Sequence, residues 1–216
     1  MGSLSIITII LIAANVIISM KGFNDFAFFE KYKFNIAAIR NGEYIRLFTS
    51  AFLHVNTMHL FFNMFTLFFF AEVIIQTAGT TAFLLIYLVS LLVGNLLSYH
   101  FHKNEYYYSA VGASGAVTGV LYSAILFYPN MGLYLFFIPI EIPAWIFGIL
   151  YLMYSIYGMK KQLGNIGHDA HFGGAAAGYV VTLLIAPYLF QEQLWIILLL
   201  AVPIVILFVM QRSGNL

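Results

Sequence analysis

Cysteine is absent from the 216 residues, which excludes a disulfide framework, thiolate metal sites and a cysteine nucleophile. Charge is almost as scarce. Nine Lys and Arg and eight Asp and Glu make up 8% of the chain, against about 25% in a soluble domain. A surface facing water needs far more than that, so a soluble globular protein is excluded. The net charge of +1 supplies no basic footprint, so nucleic acid is not expected as a partner. No HExxH zinc pattern is present. The N-terminus lacks the basic stretch and small-x-small cleavage site of a signal peptide, and Ile6 stands where N-myristoylation needs Ser or Thr. What the chain has in excess is hydrocarbon: 62% of its residues are hydrophobic. Lipid is the solvent for most of it.

A transmembrane helix takes about 20 mostly apolar residues, and seven such runs are predicted: 3–20, 58–77, 81–99, 113–128, 143–159, 171–188 and 193–210. They imply an all-α polytopic membrane protein. The stretch 21–57 mixes five Lys and Arg with Phe, Tyr and Ile and is expected to lie folded at the membrane interface. With seven spans, all nine basic residues fall on one side, which the positive-inside rule assigns to the cytoplasm.

Polar side chains inside spans are costly and therefore informative. His59 and Asn63, at i and i+4, share one face of the second span, either as interhelical hydrogen-bonding groups or as parts of a site. Glu72, 13 residues past His59, is turned roughly 140° from that face and reads as a packing or water-contact residue. The fourth span opens with Gly112-Ala113-Ser114-Gly115, and Gly115 and Gly119 form a GxxxG pair. The sixth opens with His171, followed by a second pair in Gly174 and Gly178. Such pairs let helix backbones approach closely. If the two helices pack through these faces, Ser114 and His171 come to similar depth as a nucleophile and a base. The unpaired N–H groups at the start of a helix can donate to a developing oxyanion, with His59 and Asn63 as side-chain donors beside them. Asp169, two residues before His171, would project about 160° away on a helix, so a Ser–His dyad is expected, with Asp169 a loop or N-cap residue.

Taken together, the HxxxN of His59 and Asn63, the GxSG around Ser114 and the AHxxGxxxG of Ala170, His171, Gly174 and Gly178 resemble the rhomboid intramembrane serine proteases. The resemblance covers about residues 4–190, including Arg46, Thr49 and His54. It implies a six-helix core (1–190) followed by an additional C-terminal helix (191–216), in a multi-pass protein of a bacterial cell membrane. It also implies Ser114 as nucleophile, His171 as general base, and His59, Asn63 and the Ser114 backbone N–H as the oxyanion hole. Gly112, Gly115, Gly119, Gly174, Gly178, His54 and Arg46 would be structural. No cofactor or metal is implied, and the partners would be the bilayer and single-span transmembrane substrates. Loop 160–170, with Gly164 and Gly167, resembles the family's lid. The family's orientation puts the basic face outside, and it is preferred here to the positive-inside assignment. Three positions depart from the family pattern. Thr118 stands where many members stack a Tyr on the catalytic histidine, Ile45 precedes Arg46 in place of Trp, and Glu72 lies about a turn early for the usual acidic residue. The rivals are a polar-lined channel or transporter, a metal site on His168 and His171, and a non-catalytic binder of transmembrane helices. Against the transporter stands the lack of an evident inverted repeat.

Overall fold

The structure is a computed structural model that describes residues 4–134, 140–161 and 167–214. Helix α1 (Ile6–Asn24) leads into a folded first loop containing α2 (Phe26–Tyr32), strand β1 (Phe34–Asn35), α3 (Ile36–Arg40), α4 (Arg46–Thr49) and a 3₁₀ turn at Ser50–Phe52. Next come α5 (Thr57–Ala78), α6 (Thr80–His102), β2 (Ser109–Ala110), α7 (Ser114–Phe127), and the paired strands β3 (Gly132–Tyr134) and β4 (Glu141–Pro143). The chain ends with α8 (Ala144–Lys161), α9 (His168–Ile185), α10 (Leu189–Glu192) and α11 (Leu194–Arg212). All seven predicted runs are helical. Polar side chains cap the starts of several elements: Ser5 accepts from Thr8 N–H, Asp25 from Phe28 N–H, Asn35 from Ala38 N–H and Asn56 from His59 N–H. Gly79, at φ 88°, turns α5 into α6 in a conformation other residues avoid.

The fold has the polarity of a membrane protein. Ile6, Leu184 and Phe208 are among many large apolar residues on the outside, whereas Asn15, Ser19, His54, Asn63, Ser123 and Thr182 are buried. Four helices, α1, α5, α6 and α11, are long and apolar enough to cross a membrane. The run 113–128 behaves differently: α7 has 14 residues, about 21 Å at 1.5 Å per residue. That is short of a hydrocarbon layer of about 30 Å, so at least one end of α7 lies inside the layer its neighbours cross. From Gly115 to Phe127 every residue of α7 is buried, because α5, α6, α8 and α9 surround it.

Small residues make the central packing possible. A Cβ on Gly178 would overlap the Gly119 carbonyl, and one on Gly174 would overlap the carbonyl of Gly115. The two GxxxG pairs of α7 and α9 therefore lie backbone to backbone. Gly94 of α6 joins the same contact, since a Cβ there would meet the Ala170 carbonyl at 2.7 Å, and one on Gly173 would meet Gly94 Cα at 3.0 Å. Polar groups reinforce the crossing: Thr182 Oγ1 donates to Ser123 Oγ at 2.7 Å, and Ser123 Oγ contacts the carbonyls of Gly119 and Gly178 at 2.9 and 3.2 Å. Helix α11 packs beside α8, with Trp145 and Trp195 edge to face and the Tyr179 hydroxyl of α9 donating to the Ile197 carbonyl.

Glu72 ties α1 to α5: its Oε1 accepts from Ser5 N–H at 2.9 Å and from the Thr8 hydroxyl at 2.8 Å. Helix α9 starts three residues earlier than the predicted span, so Asp169 is a helical residue of its first turn, and the N-cap is Gly167. Gly167 has φ −74°, a backbone any residue adopts. The other expected lid glycine, Gly164, lies outside the described residues.

Gly178→Leu should lower stability by about 1–3 kcal/mol or more, because a branched side chain would force α9 off α7. Thermal melting of the purified protein in detergent measures this. An unchanged midpoint would show that the two helices do not depend on this contact.

Candidate active site

Helix α7 starts without a side-chain cap at Ala113. Its first helical bond runs from Val117 N–H to the Ala113 carbonyl. The N–H groups of Ser114, Gly115 and Ala116 therefore have no intrahelical acceptor, and among the described residues no other group accepts from them. Together they form a cluster of free donors at the positive end of the helix dipole.

The approach to this turn is held by the first loop. Strand β1 pairs antiparallel with β2, Phe34 opposite Ala110 and Asn35 opposite Ser109. Gly112 N–H donates to the Ser50 carbonyl at 3.0 Å, while Asn95 of α6 donates to the Leu47 carbonyl at 2.7 Å and to Ser50 Oγ at 3.2 Å. Arg46 is buried and organises the loop itself. Its guanidinium donates to the carbonyls of Glu30 and Lys33 at 2.7 and 3.0 Å and pairs with Glu43 at 2.8 Å. Gly112 has φ 134°, and a Cβ there would lie 2.7 Å from His59 Cε1. Both the backbone angle and the space demand glycine. The same Cβ would be 3.6 Å from Ser114 Oγ, so the His59 ring and the Ser114 hydroxyl both border Gly112.

His54 is fully buried, and its bonds define its tautomer. Ala113 N–H donates to Nε2 at 3.4 Å, so Nε2 is the acceptor and Nδ1 carries the proton. Nδ1–H then donates to Ser19 Oγ at 2.8 Å, and the Ser19 hydroxyl donates to the Phe52 carbonyl at 2.9 Å. Every proton in this chain has an acceptor only when His54 is neutral. Burial, with His59 beside it, lowers its pKa to about 3.

His59 and Asn63 lie one turn apart on α5. Asn63 Nδ2 and His59 Nδ1 are buried without a hydrogen-bond partner, which is unusual enough to need a reason. His171, in the first turn of α9, has its Nδ1 2.9 Å from the Tyr151 hydroxyl of α8, and the two rings stack at 5.9 Å and 22°. His171, Ser114, His59, Asn63, Gly112 and Tyr151 all line one cavity of about 1230 Å³. Among the described residues no hydrogen bond joins Ser114 Oγ to His171. Asp169 is turned away from them: its Oδ2 is 3.5 Å from His102 Nε2 on α6, and the His102 ring stacks on Tyr108 at 3.6 Å. His168 is buried on α9, its ring 6.2 Å from that of His171.

Sequence reasoning passed over four contributors. Asn95 could have been found, since it is a polar residue in a predicted span. Ser19 and Ser50 are small hydroxyls in apolar or loop surroundings and carry no local signal. Tyr151 is one of 15 tyrosines, and only the missing aromatic at Thr118 hinted that a ring must come from elsewhere.

Residues 41–188 match the family model of the Rhomboid domain. The chain is 29% identical over 191 residues to the RHOMBOID-like protein 12, mitochondrial, of Arabidopsis thaliana, which covers 81% of this chain and 56% of that protein. It is 31% identical over 152 residues to the putative rhomboid protease YdcA of Bacillus subtilis (strain 168), covering 68% of this chain and 69% of the relative. With the rhomboid protease GluP of the same strain the identity is 30% over 141 residues, 65% of this chain and 26% of GluP. The chain thus spans little more than half the length of the plant relative.

The neutral His54 makes stability depend on pH in one direction. Its pKa is about 6.5 when unfolded and about 3 when folded, so its contribution is complete above pH 6.5 and declines as pH falls toward 3, by about 1.4 kcal/mol per unit. Melting in detergent should be weaker at pH 5 than at pH 7, with a flatter dependence in His54→Gln. Equal slopes in the two proteins would contradict this.

Proposed function

The chain belongs to the Rhomboid family, and from that premise we propose that it is an intramembrane serine endopeptidase working by a Ser114–His171 dyad. It is an integral multi-pass membrane protein, and the family includes relatives named as rhomboid proteases. The observation that carries the reading is the meeting of Ser114 and His171 in one cavity whose wall also holds unsatisfied donors: the free N–H groups of the first turn of α7 and Nδ2 of Asn63.

In this reading His171 takes the Ser114 proton as the hydroxyl attacks a peptide carbonyl. The oxyanion that forms is bound by Ser114 N–H, Asn63 Nδ2 and His59. These donors line the cavity without an acceptor among the described protein groups and are already in place, so they stabilise the tetrahedral intermediate more than the substrate. His171 then returns the proton to the leaving amine, and water repeats the sequence on the acyl-serine. No cofactor enters. The substrates are transmembrane segments of single-span proteins. The cavity suits them, since its polar end at Ser114 continues into an apolar wall of Phe62, Phe65 and Phe69 from α5 and Phe147 from α8. A helical segment must unwind to present a peptide bond, which favours Gly or Pro near the cleavage site. Residues 1–190 form the catalytic unit, with 191–216 appended to it.

Fluorophosphonate should label wild-type protein at Ser114, fail with Ser114→Ala and react far more slowly with His171→Ala. Equal labelling of folded wild type and His171→Ala would remove the dyad. Asn63→Ala should lower kcat by about 10²–10³-fold with little change in KM when a model single-span substrate is cleaved in detergent. An unaffected kcat would take Asn63 out of the oxyanion hole.

A further inference from the structure

We propose that Tyr151 and Thr118 form a one-way hydrogen-bond relay that fixes the neutral tautomer of His171, keeping its proton on Nδ1 and leaving the Nε2 lone pair for the Ser114 hydroxyl. This rests on the reading of Ser114 and His171 as the dyad.

The direction of the relay follows from its far end. The Ser114 carbonyl can only accept, so Thr118 Oγ1, 2.7 Å away, uses its single proton there. Thr118 must then meet Tyr151 Oη, at 3.4 Å, as an acceptor, and the phenol proton goes to Thr118. Tyr151 Oη is left with lone pairs for His171 Nδ1 at 2.9 Å, so the proton in that contact belongs to Nδ1. The opposite order, with Tyr151 donating to Nδ1, leaves two oxygens facing each other with no proton between them in a part-buried site.

The tautomer matters because a general base needs a lone pair toward the nucleophile. A ring protonated on Nε2 would present an N–H to Ser114 and could not take its proton. The relay also returns to the backbone of Ser114 itself, so the residue carrying the nucleophile and the ring carrying the base are joined through α8. Stacking limits the remaining freedom: the Tyr151 ring lies on His171, and Phe147, one turn earlier on α8, stacks on Tyr151 at 5.8 Å and 22°. Asp169, the neighbour in sequence that might have taken this part, points instead toward His102, 3.5 Å away. Tyr151 and Thr118 are positioning residues here. Neither is asked to touch substrate.

The test uses the full chain in detergent. With ¹⁵N-labelled histidine, the wild-type His171 resonances at neutral pH should carry the signature of an Nδ1-protonated neutral ring. Thr118→Val should move them toward the Nε2-protonated form, because the Tyr151 hydroxyl is then free to turn and donate to Nδ1. Tyr151→Phe and Thr118→Val should each lower kcat by on the order of 10- to 100-fold with KM little changed, and Thr118→Ser should restore activity. Thr118→Val combined with Tyr151→Phe should be no worse than Tyr151→Phe alone, because the relay is already cut. An Nε2-protonated His171 in wild type, or losses that multiply in the double variant, would overturn the relay. Fluorophosphonate labelling separates the two levels: a labelled wild type with Nε2-protonated His171 would keep the dyad and reject the relay.

Discussion

The contact on which the rest of this molecule depends is backbone against backbone, where α9 crosses α7 and α6 through Gly174, Gly178, Gly115, Gly119, Gly94 and Gly173. In lipid there is no hydrophobic gain from joining two apolar helices, so association has to come from close van der Waals contact and interhelical hydrogen bonds. Glycine permits the first, and the Ser123–Thr182 pair supplies the second. The consequence is geometric. Both helices begin near the same cavity, and each brings one polar residue of its first turn to it, Ser114 and His171.

The free N–H groups at the start of a helix in a membrane protein are costly unless they are satisfied or line a cavity. Here the loop before α7 is secured by others, with Gly112 bonded to Ser50 and Ala113 to His54. Ser50 is in turn held by Asn95, and the first loop is pinned by Arg46. The N–H groups of the first turn of α7 stay free. The buried polar residues of the first loop, Arg46, Ser50 and His54, thus hold the backbone before Ser114 in place and leave donors open at one spot. We read that spot as an oxyanion hole.

The three departures from the family pattern have different physical meanings. Ile45 is largely exposed at 61%, so the missing Trp leaves no hole in the core. Glu72 caps the start of α1 from α5, a use that needs only a carboxylate at that depth. Thr118 is the consequential one. With Thr118 at that position on α7, its hydroxyl lies 3.4 Å from that of Tyr151 on α8. Stacking on His171 is kept, from another helix, and a hydrogen bond to Nδ1 comes with it.

Composition alone determined the solvent. With 8% charged residues the chain has no means of covering a surface against water, and the seven apolar runs are helices because each must satisfy its own backbone in lipid. The motif residues were legible too, since a polar side chain in a span must be explained, and the two GxxxG pairs announced a close crossing. Tertiary structure decided what periodicity cannot carry. Asn95 and Gly94 act on residues far off in sequence, α7 is shorter than a full span and is enclosed by four neighbouring helices, and Asp169 turns to His102 because α9 begins earlier than its hydrophobic run. Above all, the partner of His171 lies 20 residues away on α8. No spacing rule links Tyr151 to Thr118 and His171, because three different helices bring them together, and only their packing sets the distances on which a proton's position depends.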